Sequence, residues 1–352
     1  MKFCVLGMFL LLQGTLQRQV GSLVQWTDAY VSRLPPQKHF SGTILVEQNG
    51  RILLKRSYGL ADESWNVPNT VDSRFEIASV SKQFTAAAIL QLAEAGRLSV
   101  HDSVSKYYPQ APAAWQDITI EELLSHTSGL PNNGVKDFPK GLAVPYSIEE
   151  LIQTFRDRPL GAAPGTKWAY TNTEYYLLAY LIEHLSGEDY GTYLANHIFK
   201  PLKMSHSGFA GTLTIIPKMA QGYTRENGRL RLRDYFDRSL EVGAGGIHTT
   251  VDDLVLWNHA LDAPGFLTAQ SLSEMFSVHP PGNYGYGWFI DTKPVRRTYH
   301  EGGDPGFAAF EARYPDQHLL IIVLSNEDDS PVRDVSLAIA AHLGVGVQGT
   351  RR

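Results

Sequence analysis

Ser79 and Lys82 are residues whose types and spacing could do chemistry together. They stand three positions apart at the start of an apolar stretch, residues 84–95, that is predicted to form a buried helix. Residues three apart share one face of a helix, so the hydroxyl and the amine can touch. The unpaired N–H groups at a helix start also favour negative charge near Ser79. Such a pair could carry out acyl transfer, with the serine as nucleophile.

The same four letters, Ser-Val-Ser-Lys, occur again at residues 103–106. Tyr107, Tyr108 and Pro109 follow this second copy, so no long helix can begin there, and we predict a surface loop. The spacing alone is weak evidence, because roughly one such match is expected by chance. An ordinary N-cap serine is the alternative interpretation of Ser79, and further motifs are needed to decide between the two.

Strand patterns lie near both ends of the chain. Residues 43–47 and 52–55 flank Asn49-Gly50, which is a strong hairpin signal. Further strand patterns and a last helix pattern follow at residues 286–290, 297–300, 307–314, 319–324 and 332–343. Capping boxes mark helix starts in between, at Thr119 with Glu122, Ser147 with Glu150, and Thr250 with Asp253.

These patterns predict an α+β fold. An antiparallel sheet built from both chain ends is flanked by helices and carries a large, mostly helical insertion. Ser79 opens that insertion, so its turn is expected at the seam between the two parts. We predict one unit over residues 21–345, with its sheet part at about 21–75 and 276–345 and its helical part at about 76–275. Residues 346–352 are predicted to be a tail.

The N-terminus resembles a secretory signal peptide. Lys2 precedes an apolar run, residues 3–12, that is too short to span a bilayer. A buried strand or helix is the alternative. We predict a signal peptide in residues 1–20 and an exported protein, periplasmic or secreted. The single cysteine, Cys4, lies in this segment, so the mature chain would contain no disulfide.

Composition narrows the class of protein. With 352 residues, 43% of them hydrophobic, the chain can bury one large core or two interlocked ones. The net charge of −5 and the lack of a basic block argue against nucleic acid or an anionic membrane surface as a partner. No stable membrane span is expected, and composition does not predict the oligomeric state.

Two later segments complete a pattern with Ser79 and Lys82: Tyr170-Thr171-Asn172 and the run His300-Glu301-Gly302-Gly303. Together they resemble the S-x-x-K, Y-x-N and K/H-x-G motifs of the serine β-lactamase and penicillin-binding-protein superfamily. The nearest branch is the class C β-lactamase-related family, which includes D-alanyl-D-alanine carboxypeptidases, D-aminopeptidases and esterases. Further matches at residues 124–131 and 245–254 extend the resemblance from about residue 42 to the last helix.

The resemblance implies a role for each motif residue. Ser79 would be the nucleophile, and Lys82 and Tyr170 would form a coupled base in which either could take the proton. Asn172 would hold Lys82 and a substrate amide. His300 takes the place of a lysine and would hydrogen-bond Tyr170 and help pass a proton to the leaving group.

The backbone N–H groups of Ser79 and Gly303 would form the oxyanion hole. The resemblance implies neither a metal nor a cofactor. His300-Glu301 begins like a zinc-binding helix, but the second histidine of that motif is missing. A core role for Tyr170 and a structural strand role for His300 are the alternatives. His126 and His248 are given structural roles and are left out of the site.

Glu301 departs from the family pattern, in which threonine is common. If its carboxylate faced the site, it would disfavour anionic substrates. The function predicted is that of an exported serine hydrolase that forms an acyl-enzyme on a small ester, an amide or a D-amino-acid peptide, with a small-molecule or cell-wall peptide substrate. A β-lactamase proper, or a penicillin-binding or cell-wall-peptide-binding domain without turnover, is the alternative.

Overall fold

The computed structural model describes residues 20–35, 38–211, 213–262 and 265–346. The predicted signal peptide, except for residue 20, lies outside these ranges, as does the predicted tail from residue 347. In the part of the chain that is described, no helix is both long enough and apolar enough to cross a membrane.

A six-stranded antiparallel sheet built from both ends of the chain forms the central layer. Its strands are β1 (Gly42–Gln48), β2 (Arg51–Tyr58), β10 (Phe289–Asp291), β11 (Arg297–Asp304), β12 (Phe307–Tyr314) and β13 (Leu319–Ser325), counting all strands in chain order. They pair in the order β10-β11-β12-β13-β1-β2. The predicted hairpin at Asn49-Gly50 joins β1 to β2, and the predicted α+β architecture is confirmed.

Shorter strands lie between the two ends of the sheet. They are β3 (Leu60–Asp62), β4 (Val67–Pro68), β5 (Phe75–Glu76), β6 (Gly208–Phe209), β7 (Tyr223–Glu226), β8 (Arg229–Leu232) and β9 (Ile247–Thr249). β5, β9 and β6 form a small sheet in that order, and β9 also accepts a hydrogen bond from the Ile77 N–H, two residues before Ser79. The small sheet thus fixes the entry to the Ser79 turn.

The helices pack on both faces of the central sheet. They are α1 (residues 20–32), α2 (Lys82–Glu94), α3 (Ile120–Leu124), α4 (Ile148–Arg156), α5 (Thr173–Ser186), α6 (Tyr190–Leu194), α7 (Val251–Asp262), α8 (Ala269–Met275) and α9 (Val332–His342). The capping boxes predicted at Thr119 and Ser147 are formed. At Thr250 only half of the box forms, because the Asp253 carboxylate accepts from residues 206 and 207 instead.

Alternation along β13 separates two cores. Every residue of this strand is buried, as expected for a strand that is covered on both faces. Leu320, Ile322 and Leu324 join the core with the helical part, whereas Leu319, Ile321 and Val323 join the core under α1 and α9. The sheet is therefore clamped between two apolar layers, which makes it a rigid support for residues at its edge.

The start of α2 lies at the seam between the sheet and the helical part. Residues 82–90 of this helix are all buried, so it is surrounded by protein rather than exposed along one face. The preceding 3-10 turn, Ala78–Ser81, lies directly against β11. A Cβ atom at Gly302 would come within 2.2 Å of the Ile77 carbonyl oxygen, so only glycine fits there.

Candidate active site

Ser79 is the accessible residue of a buried turn. Its neighbours Ala78, Val80 and Ser81 are buried, whereas Ser79 keeps partial exposure to solvent. Ala78 has φ +46°, a left-handed conformation that costs an alanine about 1–2 kcal/mol. Strain of this kind persists where packing over-determines the backbone, and here it lies immediately before the predicted nucleophile.

Lys82 connects three segments of the chain through its ammonium group. Its Nζ donates to Ser79 Oγ at 3.1 Å, to Asn172 Oδ1 at 2.8 Å and to the Ala244 carbonyl oxygen at 2.8 Å. An ammonium group has three donors, so each hydrogen has a partner. The side chain is fully buried. The structure thus brings Asn172, which is 90 residues from Lys82 in the sequence, next to Ser79 and Lys82.

Burial shifts the protonation equilibrium of Lys82. Desolvation lowers the pKa of Lys82 to about 7, and carboxyl groups at Glu241, Asp304 or Glu174 act in the opposite direction only in their ionised form. A lysine with a pKa near neutrality is unprotonated in a large fraction of molecules at pH 7. The amine can therefore accept a proton from the Ser79 hydroxyl.

Tyr170 lies over Lys82 and beside Ser79. The Lys82 Nζ is 4.9 Å from the centre of the Tyr170 ring. The Tyr170 hydroxyl oxygen is buried and has no hydrogen-bond partner among the described residues. Burial raises the pKa of Tyr170, and the nearby Ser79 hydroxyl offsets part of that rise. The phenol is therefore protonated at neutral pH, next to the hydroxyl from which a proton must leave.

His300 makes contacts that differ from the predicted ones. Its Nδ1 lies 2.7 Å from the Glu301 carbonyl oxygen, which can only accept, so Nδ1 carries the hydrogen. Nε2 of the neutral ring then accepts from the Tyr284 hydroxyl at 2.8 Å. The predicted hydrogen bond from His300 to Tyr170 is not formed, because both nitrogens of the His300 ring have other partners. The centres of the His300 and Tyr170 rings are 6.1 Å apart. Burial lowers the pKa of His300 to about 3, so the ring is neutral.

Gly303 lies on an open stretch of β11. In the register of the sheet, β10 covers β11 only over Arg297–Tyr299, and no other described strand pairs with residues 300–304 on that edge. A Cβ atom at Gly303 would meet nothing within 4 Å, so the space beside this residue is open. A substrate can therefore lie against this edge, as the predicted role of the Gly303 N–H requires.

Glu301 is directed away from Ser79. It follows His300 on β11, so its side chain lies on the opposite face of the sheet. Its carboxylate is 3.6 Å from the Arg333 guanidinium on α9, and half of its side chain is exposed. The inclusion of Glu301 among the substrate-binding residues is therefore wrong, and its charge gives no ground for a substrate preference.

Several residues near Lys82 were not found by sequence reasoning. Tyr284 binds His300, and Glu241 packs over Gly245, next to the carbonyl group that holds Lys82. Asp304 has a buried Oδ2 with no partner among the described residues, and desolvation raises the pKa of its carboxyl to about 7. Aromatic and acidic residues are common throughout the chain, so no local pattern distinguishes these three.

The second Ser-Val-Ser-Lys copy has no comparable surroundings. Residues 104–106 form a short 3-10 turn, and Ser103 Oγ interacts with Ser105 Oγ at 2.7 Å. Lys106 is mostly exposed and binds Asp102 at 2.9 Å rather than a serine. Within the described ranges, no group of three or more His, Cys, Asp or Glu residues is arranged to hold a metal ion.

Comparisons with known proteins identify the family and the fold. The sequence model of the Beta-lactamase family matches residues 27–345. PbpX of Bacillus subtilis (strain 168) is 34% identical over 287 residues, which cover 82% of this chain and 71% of that protein. The crystal structure of a penicillin binding protein from Bacillus halodurans superposes with a TM-score of 0.77 and 27% identity, over 92% of this chain and 98% of the other.

A D-amino acid amidase from Ochrobactrum anthropi SV3, solved in complex with D-phenylalanine, has a TM-score of 0.79. It is 21% identical, over 94% of this chain and 99% of the other, and so shares the fold. The match to the family model and the relative at 34% identity confirm the resemblance stated from the motifs. The chain belongs to the Beta-lactamase family, whose fold is that of serine hydrolases.

Proposed function

We propose that this protein is a serine hydrolase that forms an acyl-enzyme on Ser79 with a small ester, an amide or a D-amino-acid peptide. The observation that carries the proposal is the buried Lys82 ammonium, which is hydrogen-bonded to Ser79 Oγ, Asn172 Oδ1 and the Ala244 carbonyl. A lysine held in this way, with a pKa of about 7, supplies the base that a serine hydroxyl needs.

The reaction divides into two acyl transfers. In the first, unprotonated Lys82 accepts the Ser79 proton while Oγ forms a bond to the substrate carbonyl carbon. The oxyanion that develops is stabilised by the N–H groups of Ser79 and Gly303. The carbon–heteroatom bond then breaks, and the leaving group receives a proton from the Tyr170 hydroxyl, which is reprotonated from Lys82. In the second transfer, Lys82 takes a proton from a water molecule while the water oxygen forms a bond to the acyl carbon. The bond from that carbon to Ser79 Oγ then breaks, Ser79 Oγ receives the proton from Lys82, and the free acid is released.

Charges around the site favour substrates that lack a carboxylate next to the scissile bond. The histidine that stands in place of the family lysine is neutral, so β11 presents no cation to bind a carboxylate. The carboxyl groups of Asp304 and Glu241 lie near Lys82, but burial raises the pKa of both, so they add little negative charge at neutral pH. The preference for esters and amides over penicillins therefore rests on the neutral His300 ring, and not on Glu301.

A screen of several substrate classes tests the proposed function. We expect p-nitrophenyl acetate or butyrate, or a D-amino acid amide, to be hydrolysed with a higher kcat/KM than nitrocefin. Glu301→Thr is expected to leave the ratio of ester to cephalosporin hydrolysis unchanged, because its carboxylate binds Arg333 on the far face. Faster turnover of nitrocefin than of any ester or amide would favour the β-lactamase alternative. Labelling by a fluorescent penicillin without turnover of any substrate would favour a binding domain.

The pH dependence of the reaction follows from Lys82. Below its pKa of about 7 the amine is protonated and cannot accept a proton, so we expect kcat/KM to fall as the pH decreases through about 7 and to level off above about 8. Initial rates with a neutral ester between pH 5 and 9, in buffers of equal ionic strength, measure this limb. A rate that does not change over this interval would contradict the role of Lys82 as the base.

We also propose export of the protein, on the basis of the apolar run at residues 3–12 behind Lys2. Expression of the full chain in a bacterial host and N-terminal sequencing of the product test this proposal. A mature N-terminus near residue 20 is expected, whereas an intact Met1 in a cytoplasmic fraction would contradict it.

A further inference from the structure

A buried pair, His126 and Glu174, lies directly behind Tyr170. The ring centres of His126 and Tyr170 are 4.3 Å apart. His126 Nδ1 and Glu174 Oε2 are hydrogen-bonded, and the two side chains are 0% and 1% exposed. Neither group takes part in the reaction proposed above. Buried ionisable side chains are expensive to maintain, so their position behind Tyr170 requires an explanation.

His126 holds the backbone on both sides of Tyr170. Its carbonyl oxygen accepts from the Ala169 N–H at 2.9 Å. Its Nδ1 accepts from the Thr171 N–H at 3.5 Å, the outer limit of a hydrogen bond. His126 adopts φ +61°, an uncommon left-handed conformation for a histidine. The strained backbone thus directs both the carbonyl and the ring of one residue to the segment that carries Tyr170.

The contacts of Glu174 show where its proton lies. Oε1 accepts from the Ser128 N–H at 3.3 Å and from the Ser128 hydroxyl at 2.5 Å, so this oxygen is an acceptor. Oε2 faces His126 Nδ1, which is itself an acceptor because the Thr171 N–H points at it. Two acceptors bind each other only through a proton, and a hydrogen on Oε2 supplies it.

The burial of both side chains supports a proton on Glu174 Oε2. Desolvation raises the pKa of Glu174 and lowers the pKa of His126, so burial favours the neutral form of each group. The hydrogen of the neutral His126 ring is then on Nε2, which is buried and has no hydrogen-bond partner among the described residues.

We propose that Glu174 is a protonated carboxylic acid that orients His126 and, through it, positions the Tyr170 hydroxyl beside Ser79. Glu174 and His126 touch neither the substrate nor the reacting atoms, so they are positioning residues. The kinetic part of this proposal rests on the proposed function, because it concerns the rate at which Ser79 is acylated.

Two substitutions of Glu174 separate a neutral acid from a carboxylate. Glu174→Gln preserves the shape and keeps a donor for His126 and an acceptor for Ser128, so it mimics the protonated acid. Glu174→Ala removes both contacts. Glu311→Ala is the matched control: Glu311 is also fully buried, but it lies on β12, and its hydrogen bonds run to Gln83 and Asn258 rather than to the segment that carries Tyr170.

We expect E174Q to retain kcat within about 3-fold of the wild type, and E174A to lose ~10–100-fold in kcat with KM changed less than about 2-fold, because a misplaced catalytic group slows chemistry more than binding. E311A is expected to lower the melting temperature and leave kcat unchanged at a temperature well below its midpoint. If E174A lost stability but kept its kcat, the pair would be a packing feature only. If E174Q were as slow as E174A, the neutral-acid assignment would fail.

The pH profile of E174Q provides a second readout. A neutral Glu174 carries no charge, so the acid limb of kcat/KM should stay at the wild-type pH. An ionised Glu174 would raise the pKa of Lys82, and its loss would move the limb to lower pH. Such a shift would overturn the proposal.

An infrared difference spectrum decides the protonation state without any turnover. The difference between the wild-type and E174Q spectra at pH 7 should show the carbonyl stretch of one protonated carboxyl group; carboxylate bands in its place would overturn the assignment. The rate of Ser79 labelling by a fluorophosphonate tests the positioning when no substrate is hydrolysed, and E174A should label more slowly than E174Q. If the wild type labels but turns over nothing, the proposed function fails while these two measurements still decide the inference.

Discussion

Ser79→Ala is expected to lower kcat by ~10³-fold or more, because a nucleophile and base that act as a unit lose nearly all of their contribution when either is removed. Ser79 Oγ accepts one hydrogen from Lys82 and is the accessible hydroxyl of the turn. The variant should fold normally, since the Lys82 ammonium keeps its contacts with Asn172 and the Ala244 carbonyl. Hydrolysis of a p-nitrophenyl ester and the melting temperature measure the two effects.

Ser103→Ala is the internal control for this experiment. The two serines stand in identical four-residue strings, but Ser103 contacts Ser105, and its lysine binds Asp102. We expect a fluorophosphonate to label the S103A variant as fast as the wild type and to leave S79A unlabelled. Labelling that persists in S79A and disappears in S103A would refute the assignment of the nucleophile.

The architecture could be predicted because it follows from local patterns. The hairpin at Asn49-Gly50 and the strand patterns near the C-terminus depend on alternation and turn chemistry within a few residues. The pairing of β1 with β13 is non-local, yet strands at both ends around a helical middle leave few other ways to build one sheet. The half-formed capping box at Thr250 shows the limit of prediction from local patterns, because the Asp253 carboxylate accepts hydrogen bonds from another segment.

The residues of the site were found through motifs, but their contacts depend on tertiary structure. The sequence predicts that Ser79, Lys82 and Tyr170 share one site, because each belongs to a recognisable motif. It could not show that His300 binds Tyr284, since no pattern specifies a partner 16 residues away for a ring nitrogen. The direction of Glu301 was also open, because it depends on the register of β11 against the rest of the sheet.

His126 illustrates a different limit. It was assigned a structural role from its motif, and nothing near it in sequence names Glu174 as its partner. The pair forms because the segment around His126 packs against the start of α5, where Glu174 is the second residue after Asn172. A buried histidine and a buried glutamate become informative only when their mutual distance is known.

Tyr170→Phe should separate catalysis from folding more clearly than any other substitution in the site. The Tyr170 hydroxyl makes no hydrogen bond within the described residues, so its removal should change the free energy of unfolding by less than about 1 kcal/mol. The ring contacts with His126 and Phe289 are retained by phenylalanine. Proton transfer to the leaving group is lost, and we expect kcat to fall by ~10²–10⁴-fold.

Tyr190→Phe is the control, for which the opposite result is expected: lower stability and unchanged activity. Its hydroxyl is bound to Thr85 Oγ1 at 2.7 Å in the core of the helical part, so the variant should lose about 1 kcal/mol of stability and keep its activity. Chemical denaturation and ester hydrolysis should be measured on both variants at the same pH. If Y170F unfolds like the wild type and hydrolyses the ester at nearly the wild-type rate, Tyr170 is a packing residue. Lys82 must then both take the proton from Ser79 and return it to the leaving group, which its direct 3.1 Å contact with Ser79 Oγ permits.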